Sequence, residues 1–143
     1  MLFSRLLSRI VLPMLAVFSV QALAADFSGY WKIDLRNAEQ KARNAECGSA
    51  VFELRQDGNK ITGSHSMATV DCGRVNEGGE GTVKGSATGT RATLFVTSGR
   101  TGEVVRGIAT LKGESLYWET KEAVTDGETG DSLVLGKGML VKH

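Results

Sequence analysis

The sequence predicts an all-β protein, an eight-stranded antiparallel up-and-down β-barrel with one short helix after the first strand. Apolar and polar residues alternate with a period of two along most of the chain, which is the pattern of strands with one buried face. The chain contains 18 glycines and a single proline, Pro13, so its turns depend on Gly, Asn and Asp, the residues of tight hairpins. Closing such hairpins into a barrel removes the open sheet edges. A two-sheet sandwich is the alternative, because alternation does not report closure.

Residues 1–24 are predicted to be a secretory signal peptide. Arg5 and Arg9 form a positively charged start, Ile10–Val20 is an apolar run, and Ala22-Leu23-Ala24 has the small-x-small pattern of a signal peptidase site. The apolar run is shorter than the ~20 residues of a membrane-spanning helix, and an uncleaved N-terminal anchor is the alternative interpretation. The expected location is therefore the periplasm or the exterior of a bacterial cell, with no membrane span in the mature chain.

The barrel domain is predicted to occupy residues 25–143 and to begin with a strand over Phe27–Leu35. Alternation places Trp31 on the inward face of this strand and Tyr30 on the outward face. The next segment, Asn37–Glu46, is rich in helix formers.

This segment has Asn37 as a candidate N-cap and Gln40 at the capping-box position. Glu39 and Arg43 are spaced as an i,i+4 pair, and Gly48 is placed to end the helix. Because its apolar residues are all alanines, the helix is expected to lie over one end of the sheet rather than in the core.

The next two strands, Ser49–Gln56 and Ile61–Val70, are expected to form a hairpin around Gly58–Asn59. A loop at Asp57–Gly58 would shift each partner by two residues and keep the same parity, so His65 shares the inward face with Phe52 unless a bulge intervenes. The expected pairs are Leu54 with Gly63, Phe52 with His65, and Ala50 with Met67.

The remaining strands follow at similar spacing, with loops predicted at Asn76–Glu80 and Ala123–Asp131. A turn at Lys112-Gly113 would pair Ala109 with Leu116 and Gly107 with Trp118, and a glycine opposite an indole would leave the ring the space it needs. In the last strand the expected inward residues are Leu133, Leu135, Met139 and Val141. The predicted strands are Gly81–Thr88, Arg91–Thr97, Glu103–Leu111, Glu114–Lys121 and Ser132–Lys142.

Two cysteines are present, Cys47 and Cys72. In an exported chain a pair of cysteines is expected to form a structural disulfide, which here would stabilise the fold by about 3 kcal/mol. A redox-active or metal-binding pair is the alternative, but the chain lacks a C-x-x-C spacing and a cluster of further ligands beside either cysteine.

Gly29-Tyr30-Trp31 at the start of the first strand resembles the opening of the calycin barrels, the lipocalins and avidin-like proteins. The stretch from Gly58 to Ala68, with Ile61-Thr62-Gly63, is similar to the second hairpin of avidin-type barrels. The resemblance implies a closed barrel in which the tryptophan plugs one end. It does not extend to biotin, because Lys32-Ile33-Asp34-Leu35 stands where the avidin site has Asn and Ser.

A second resemblance is to the small periplasmic inhibitors of secreted metalloproteases. These are also eight-stranded barrels with a Gly-x-Trp near the start and one disulfide. Gly29, Trp31, Cys47 and Cys72 match that plan. The resemblance implies a protein partner, a secreted or periplasmic hydrolase.

Charge and motif content exclude several functions. Lys and Arg total 17 against 16 Asp and Glu, so no strongly basic surface is expected for nucleic acid. His65 has serines on both sides, but alternation directs Ser64 and Ser66 to the opposite face, so no nucleophile–base pair is predicted. The imidazole is interpreted either as a polar group in a ligand cup or as an interior ring satisfied by hydrogen bonds. No metal site, cofactor or enzymatic activity is predicted.

The function predicted from these features is that of an exported, non-enzymatic barrel that binds a small, largely apolar ligand. The alternative is a protein-binding module or inhibitor of a secreted or periplasmic hydrolase, acting through the loops and the Asn37–Glu46 helix, and a purely structural envelope component is the third possibility. The sequence indicates no particular oligomeric state. The residues expected to line the ligand site are Trp31, Phe52, His65, Met67 and Trp118.

Overall fold

A computed structural model of the chain describes residues 16–17, 25–124 and 133–143. The described residues form eight strands that close into an antiparallel barrel, each strand pairing with its neighbours in the chain and the last pairing with the first. The predicted fold class is therefore confirmed. The elements are β1 (Gly29–Asp34), α1 (Ala38–Ala42), β2 (Cys47–Asp57), β3 (Lys60–Val70), β4 (Val75–Thr88), β5 (Arg91–Thr97), β6 (Val104–Lys112), β7 (Ser115–Ala123) and β8 (Lys137–Lys142).

Because consecutive strands run in opposite directions, their connections alternate between the two ends of the barrel, and the two ends differ. The end that we call the turn end holds the three two-residue turns, the segment Ala25–Ser28 before β1, and His143. The opposite end, called the helix end, holds α1, the β3–β4 turn and the β5–β6 loop. The predicted signal peptide lies outside the described residues except for Ala16 and Val17. None of the described helices is long and apolar enough to cross a membrane.

The β2–β3 hairpin has the predicted register: Leu54 pairs with Gly63, Phe52 with His65, and Ala50 with Met67. This agreement follows from the two-residue turn, which leaves the hydrophobic pattern of both strands facing the core. The interior is filled by large apolar side chains that are at most 2% exposed. They include Phe27, Phe52, Leu54, Ile61, Met67, Val83, Leu94, Val96, Leu116, Trp118 and Leu140.

The predicted loop Asn76–Glu80 is wrong, because β4 already begins at Val75 and pairs with β3 through Gly78. The ladder is then interrupted. Four residues of β4, Gly79–Thr82, lie between the pairs His65–Gly78 and Gly63–Val83, where β3 has only one residue. We call Gly79–Thr82 the β4 bulge. The sequence of Asn76–Glu80 is typical of a loop because Asn76, which faces the core, is polar.

The predicted β6–β7 register is shifted by two residues. The turn lies at Gly113–Glu114, so Ala109 pairs with Trp118 and Gly107 with Thr120. Gly113 has a φ of 60°, which a glycine adopts without strain. The indole of Trp118 nevertheless lies over Gly107, where an added Cβ would be 2.1 Å from Cη2. The glycine makes room for the ring along a diagonal rather than across a pair.

The predicted inward face of the last strand is half wrong. Leu133 and Leu135 are buried, but Met139 and Val141 are 42% and 48% exposed, and Leu140 faces the core instead. Residues 133–136 are irregular rather than strand, so the alternation does not continue in phase from this segment into β8. The start of the predicted strand, Ser132, and most of the predicted loop before it lie outside the described residues.

The helix is shorter than Asn37–Glu46. The capping box of Asn37 and Gln40 is present, but Arg43 is the C-cap, so Gly48 does not end the helix. The guanidinium of Arg43 pairs with the Asp71 carboxylate rather than with the Glu39 side chain. The helix buries no residue, in agreement with its predicted place outside the core.

Candidate functional site

The residues predicted to line a ligand site all lie inside the barrel. Trp31, Phe52, Met67 and Trp118 are at most 2% exposed, and His65 is 3% exposed. The rings of Phe52 and Trp118 are in contact, with centroids 4.9 Å apart.

Their polar atoms are bonded to the protein. Trp31 Nε1 donates to the Phe27 carbonyl at 2.8 Å. Trp118 Nε1 donates to the Leu135 carbonyl at 3.2 Å. These side chains therefore serve as core packing, and a ligand role for them stays a prediction.

His65 is the centre of a buried polar network toward the helix end. Its Nε2 lies 3.0 Å from Asn76 Oδ1 and its Nδ1 lies 3.0 Å from Thr82 Oγ1. Asn76 Nδ2 in turn donates to Ser98 Oγ at 3.0 Å. Gly78 makes room for the ring, since a Cβ there would be 2.5 Å from His65 Cε1. The interior imidazole satisfied by hydrogen bonds is the arrangement that the structure contains.

Burial lowers the pKa of His65 below its usual value of 6.5, because a charged ring loses solvation there. The hydrogen bond to Asn76 and the charge of Glu77 act in the opposite direction. The ring is therefore mainly neutral near neutral pH.

The sequence did not identify Asn76, Thr82 and Ser98 as partners of His65. Asn76 was recoverable from alternation, had the strand been extended back to Val75. Thr82 was not, because the bulge sets its position. The hydroxyl of Thr82 and the imidazole have the spacing of a nucleophile and base, and the imidazole is 3% exposed where it lines an outer groove of about 330 Å³.

A cleft of about 930 Å³ opens at the turn end. We call it the turn-end cleft. Trp31 is the only one of the five predicted ligand residues in its lining. The other lining residues are Ala25, Asp26, Thr90, Leu111, Gly113, Glu114, Ser115, Val141, Lys142 and His143.

Lys142 covers the indole at the base of this cleft. Its Nζ lies 5.4 Å from the centroid of the Trp31 ring, a cation–π distance. The stem of Lys142 also passes over Gly29, where a Cβ would lie 2.4 Å from Cε. Backbone and side-chain hydrogen bonds from Ser28 lower the pKa of Asp26, with a smaller contribution from the charge of Lys142. The cleft thus combines an aromatic ring with charged groups close to it.

At the helix end, α1 is anchored although it buries nothing. Cys47 and Cys72 form a disulfide with their Cα atoms 5.3 Å apart, as predicted. Arg43 makes two hydrogen bonds to the Asp71 carboxylate, at 2.8 and 2.6 Å. Arg36 bonds both Asp34 and the Ala45 carbonyl. These contacts hold an exposed helix in one position.

Within the described ranges, no group of three or more His, Cys, Asp and Glu side chains is placed to hold a metal ion. Compared with known proteins, the chain shows no match to a protein-family model and no significant match to a curated protein sequence.

Proposed function

We propose that the protein is an exported, non-enzymatic barrel that binds a small, largely apolar ligand in the turn-end cleft. The observation that supports this most is the cleft itself, whose volume of about 930 Å³ lies within the range of small-molecule sites. Its lining combines the apolar side chains of Trp31, Leu111 and Val141 with the charged side chains of Asp26, Glu114 and Lys142. Apolar side chains together with a few polar groups are the usual composition of such sites.

This proposal moves the ligand from the barrel interior to its end. Phe52, Met67 and Trp118 pack against other core residues, and the polar atoms of His65 have partners within the protein. Interiors packed in this way leave few voids larger than a water molecule. The closed eight-stranded meander with Trp31 near one end supports a calycin-like architecture, in which ligands enter at a barrel end.

A cleft-filling variant tests the proposal. Thr90 and Asn59 are exposed residues of two turns at the same end, and each accepts a strand amide through its backbone carbonyl. Only Thr90 lines the cleft. We expect Thr90→Trp to abolish binding of anilinonaphthalene sulfonate, followed by its fluorescence, whereas Asn59→Trp leaves binding as in the wild type.

Native mass spectrometry of protein isolated from its own periplasm complements this titration. An equal loss of dye binding in both variants, or a wild-type protein that binds no dye and carries no copurifying ligand, would reject the cleft as the site.

The export part of the proposal is supported by the disulfide, since such bonds persist in oxidising compartments. N-terminal sequencing of the cell-envelope fraction is expected to give a chain that begins at Ala25. A chain that retains residues 1–24 would instead favour the N-terminal anchor.

A second candidate function, binding to a secreted or periplasmic hydrolase, is favoured by the anchored helix. An exposed element that is already held in place loses little freedom when a partner binds it. Glu39 and Lys41 are exposed on α1 and lie outside the ion pairs that anchor it. If the helix is the contact, Lys41→Glu should remove a hydrolase that crosslinks to the wild type in periplasmic extract, while Lys60→Glu at the turn end should not.

A further inference from the structure

The hydroxyl of Thr82 stands between two acceptors. Its Oγ1 lies 3.0 Å from His65 Nδ1 and 2.8 Å from the carbonyl oxygen of Gly79. A threonine hydroxyl has one proton, so it can donate to only one of the two at a time. Which one it serves depends on the protonation of the imidazole.

Asn76 determines where the proton of neutral His65 is. The backbone N–H of Gly99 donates to Asn76 Oδ1 at 2.9 Å, and Asn76 Nδ2 donates to Ser98 Oγ at 3.0 Å. The fixed Gly99 donor rules out a flipped amide, which would set two donors against each other. The atom facing His65 is therefore an acceptor, and His65 Nε2 carries a proton in both charge states.

Two arrangements follow from this constraint. In the neutral ring Nδ1 has a lone pair and accepts the Thr82 hydroxyl, so the Gly79 carbonyl loses that donor. In the protonated ring Nδ1–H donates to Thr82 Oγ1, and the hydroxyl proton turns to the Gly79 carbonyl. That second bond ties the two ends of the β4 bulge together.

We propose that His65 is a pH-sensitive switch for the β4 bulge, in which protonation of the buried ring reverses the hydroxyl of Thr82 and closes the bulge onto Gly79. The bulge is the part of β4 that leaves the ladder with β3, so strand pairing does not fix it. It also lines an outer groove of about 330 Å³ together with Tyr30 and Glu53. The switch therefore connects the core to the surface of that groove.

The charged groups around the ring set the pH at which the switch operates. Glu77 on β4 favours the protonated ring, whereas burial disfavours it more strongly. Glu80 in the bulge is paired with Arg55 of β2. The β5–β6 loop, which reaches the network through Ser98, carries Arg100 and the buried Glu103. On β3, the neighbours of His65 are the uncharged Ser64 and Ser66. The pKa of His65, and with it the midpoint of the transition, is thus expected below the usual value of a histidine.

Nuclear magnetic resonance of the ¹⁵N-labelled protein tests the switch. The ring nitrogens of His65 report its tautomer and charge, and the backbone amide of Glu80 shares a peptide group with the Gly79 carbonyl. We expect the Nε2–H tautomer in the neutral form. We also expect the chemical shift of the Glu80 amide to change with pH at the same midpoint as the titration of the His65 ring. A neutral Nδ1–H tautomer, or two different midpoints, would overturn the proposal.

Two variants of Thr82 separate the hydroxyl from general effects. Thr82→Val removes the proton with little change of shape, so the Glu80 amide should lose its response while His65 still titrates. Thr82→Ser should retain both. Glu77→Gln and Glu80→Gln show whether the shift of the Glu80 position's amide comes from titration of a carboxylate. If this shift disappears in either of these variants but persists in Thr82→Val, the switch is contradicted. If Thr82→Val does not fold, the wild-type midpoints and Thr82→Ser decide the question.

Discussion

Trp118 fits inside the barrel because Gly107 has no side chain. A Cβ at residue 107 would lie 2.1 Å from the ring atom Cη2, well inside contact distance, and the ring itself is fully buried. Gly78 makes room for the His65 ring in the same way, because a Cβ added at residue 78 would lie 2.5 Å from the ring atom Cε1. In a barrel of this width, single glycines thus decide where the large rings can lie.

The substitution Gly107→Ala is expected to destabilise the protein by about 1–3 kcal/mol, because the indole must move in a close-packed core. The matched control is Gly136→Ala, since a Cβ there would meet no atom within 4 Å. We expect the control to change the free energy of unfolding by less than about 0.5 kcal/mol. Urea denaturation measures both, and equal effects of the two substitutions would contradict this role of Gly107.

His65 is expected to make stability depend on pH in a window of its own. Burial holds the pKa of the folded-state ring below 6.5, so the unfolded chain takes up the proton first as the pH falls. The free energy of unfolding should therefore decrease from about pH 6.5 downward, until the folded ring is protonated as well.

Asp34, whose pKa Arg36 lowers, contributes only in the separate window below its usual value of 3.8. Denaturation at a series of pH values tests the assignment. His65→Gln should flatten the upper window, and His143→Gln, at the exposed terminal position, should not. A slope that persists in His65→Gln would refute it.

Residue-level prediction from sequence succeeded for alternation and failed for hydrogen-bond partners. The inward placement of Trp31, Phe52, His65 and Met67 follows from parity alone. The partner Thr82 does not, because its position depends on where β4 bulges away from β3, and Asn76 follows from parity only once the strand is extended back to Val75. A bulge moves one side chain by an amount that alternation does not encode.

The segment that joins β1 to β2 is held by covalent and ionic contacts rather than by burial. Cys47, Asp71 and Cys72 have φ values of 59°, 60° and 60°. Residues other than glycine adopt this left-handed region at a cost in free energy. The disulfide and the Arg43–Asp71 pair keep these residues in that conformation. Reduction would therefore release the backbone at both ends of the link.

Replacing both cysteines by serine is expected to lower the free energy of unfolding by about 3 kcal/mol and to leave the barrel folded. Amide hydrogen exchange should rise in α1 and in the β3–β4 turn and stay low in β5 and β6. The control is Arg43→Gln, which removes an exposed ion pair and should have a much smaller effect. Increased exchange throughout the barrel would show that the disulfide supports the whole fold.

Element boundaries were predicted best where a turn punctuates the chain. The β2–β3 register was correct because the two-residue turn lies at Gly58–Asn59 as expected, whereas the β6–β7 turn lies one residue later than expected and shifts that register by two residues. At β8 the two buried leucines before Gly136 suggested a continuous strand, and the bends there changed the phase of Met139 and Val141. Periodicity is informative within an element and is lost across an irregular joint.

For the molecule as a whole, closure depends on β8. This strand pairs with β7 on one side and with β1 on the other, where Trp31 pairs with Lys142 and Lys32 with Val141. Up-and-down alternation in the sequence predicted this architecture, because hairpins of similar length need a partner for both outer strands. The position of the turn-end cleft was not predictable from the sequence, since it depends on how the ends of strands that are not neighbours in the barrel lie relative to one another.

A chain that lacks residues 137–143 is expected to be unable to close. β1 and β7 would then be open edges beside a mainly apolar core, and the variant should aggregate and lose its cooperative thermal transition. Deletion of His143 alone removes none of β8 and serves as the control. Light scattering and calorimetry report both properties, and a monomeric, cooperatively unfolding truncation would disprove the need for β8.

The order of the strands also has a consequence for folding kinetics. Every pairing except β1 with β8 joins consecutive segments, so the hairpins can form locally and early. The closing contact spans almost the whole domain and carries the largest loop-closure entropy, and it requires the last strand to be synthesised. A nascent chain engaged by a translocation channel before that point would still be an open ribbon, which a narrow pore can accept.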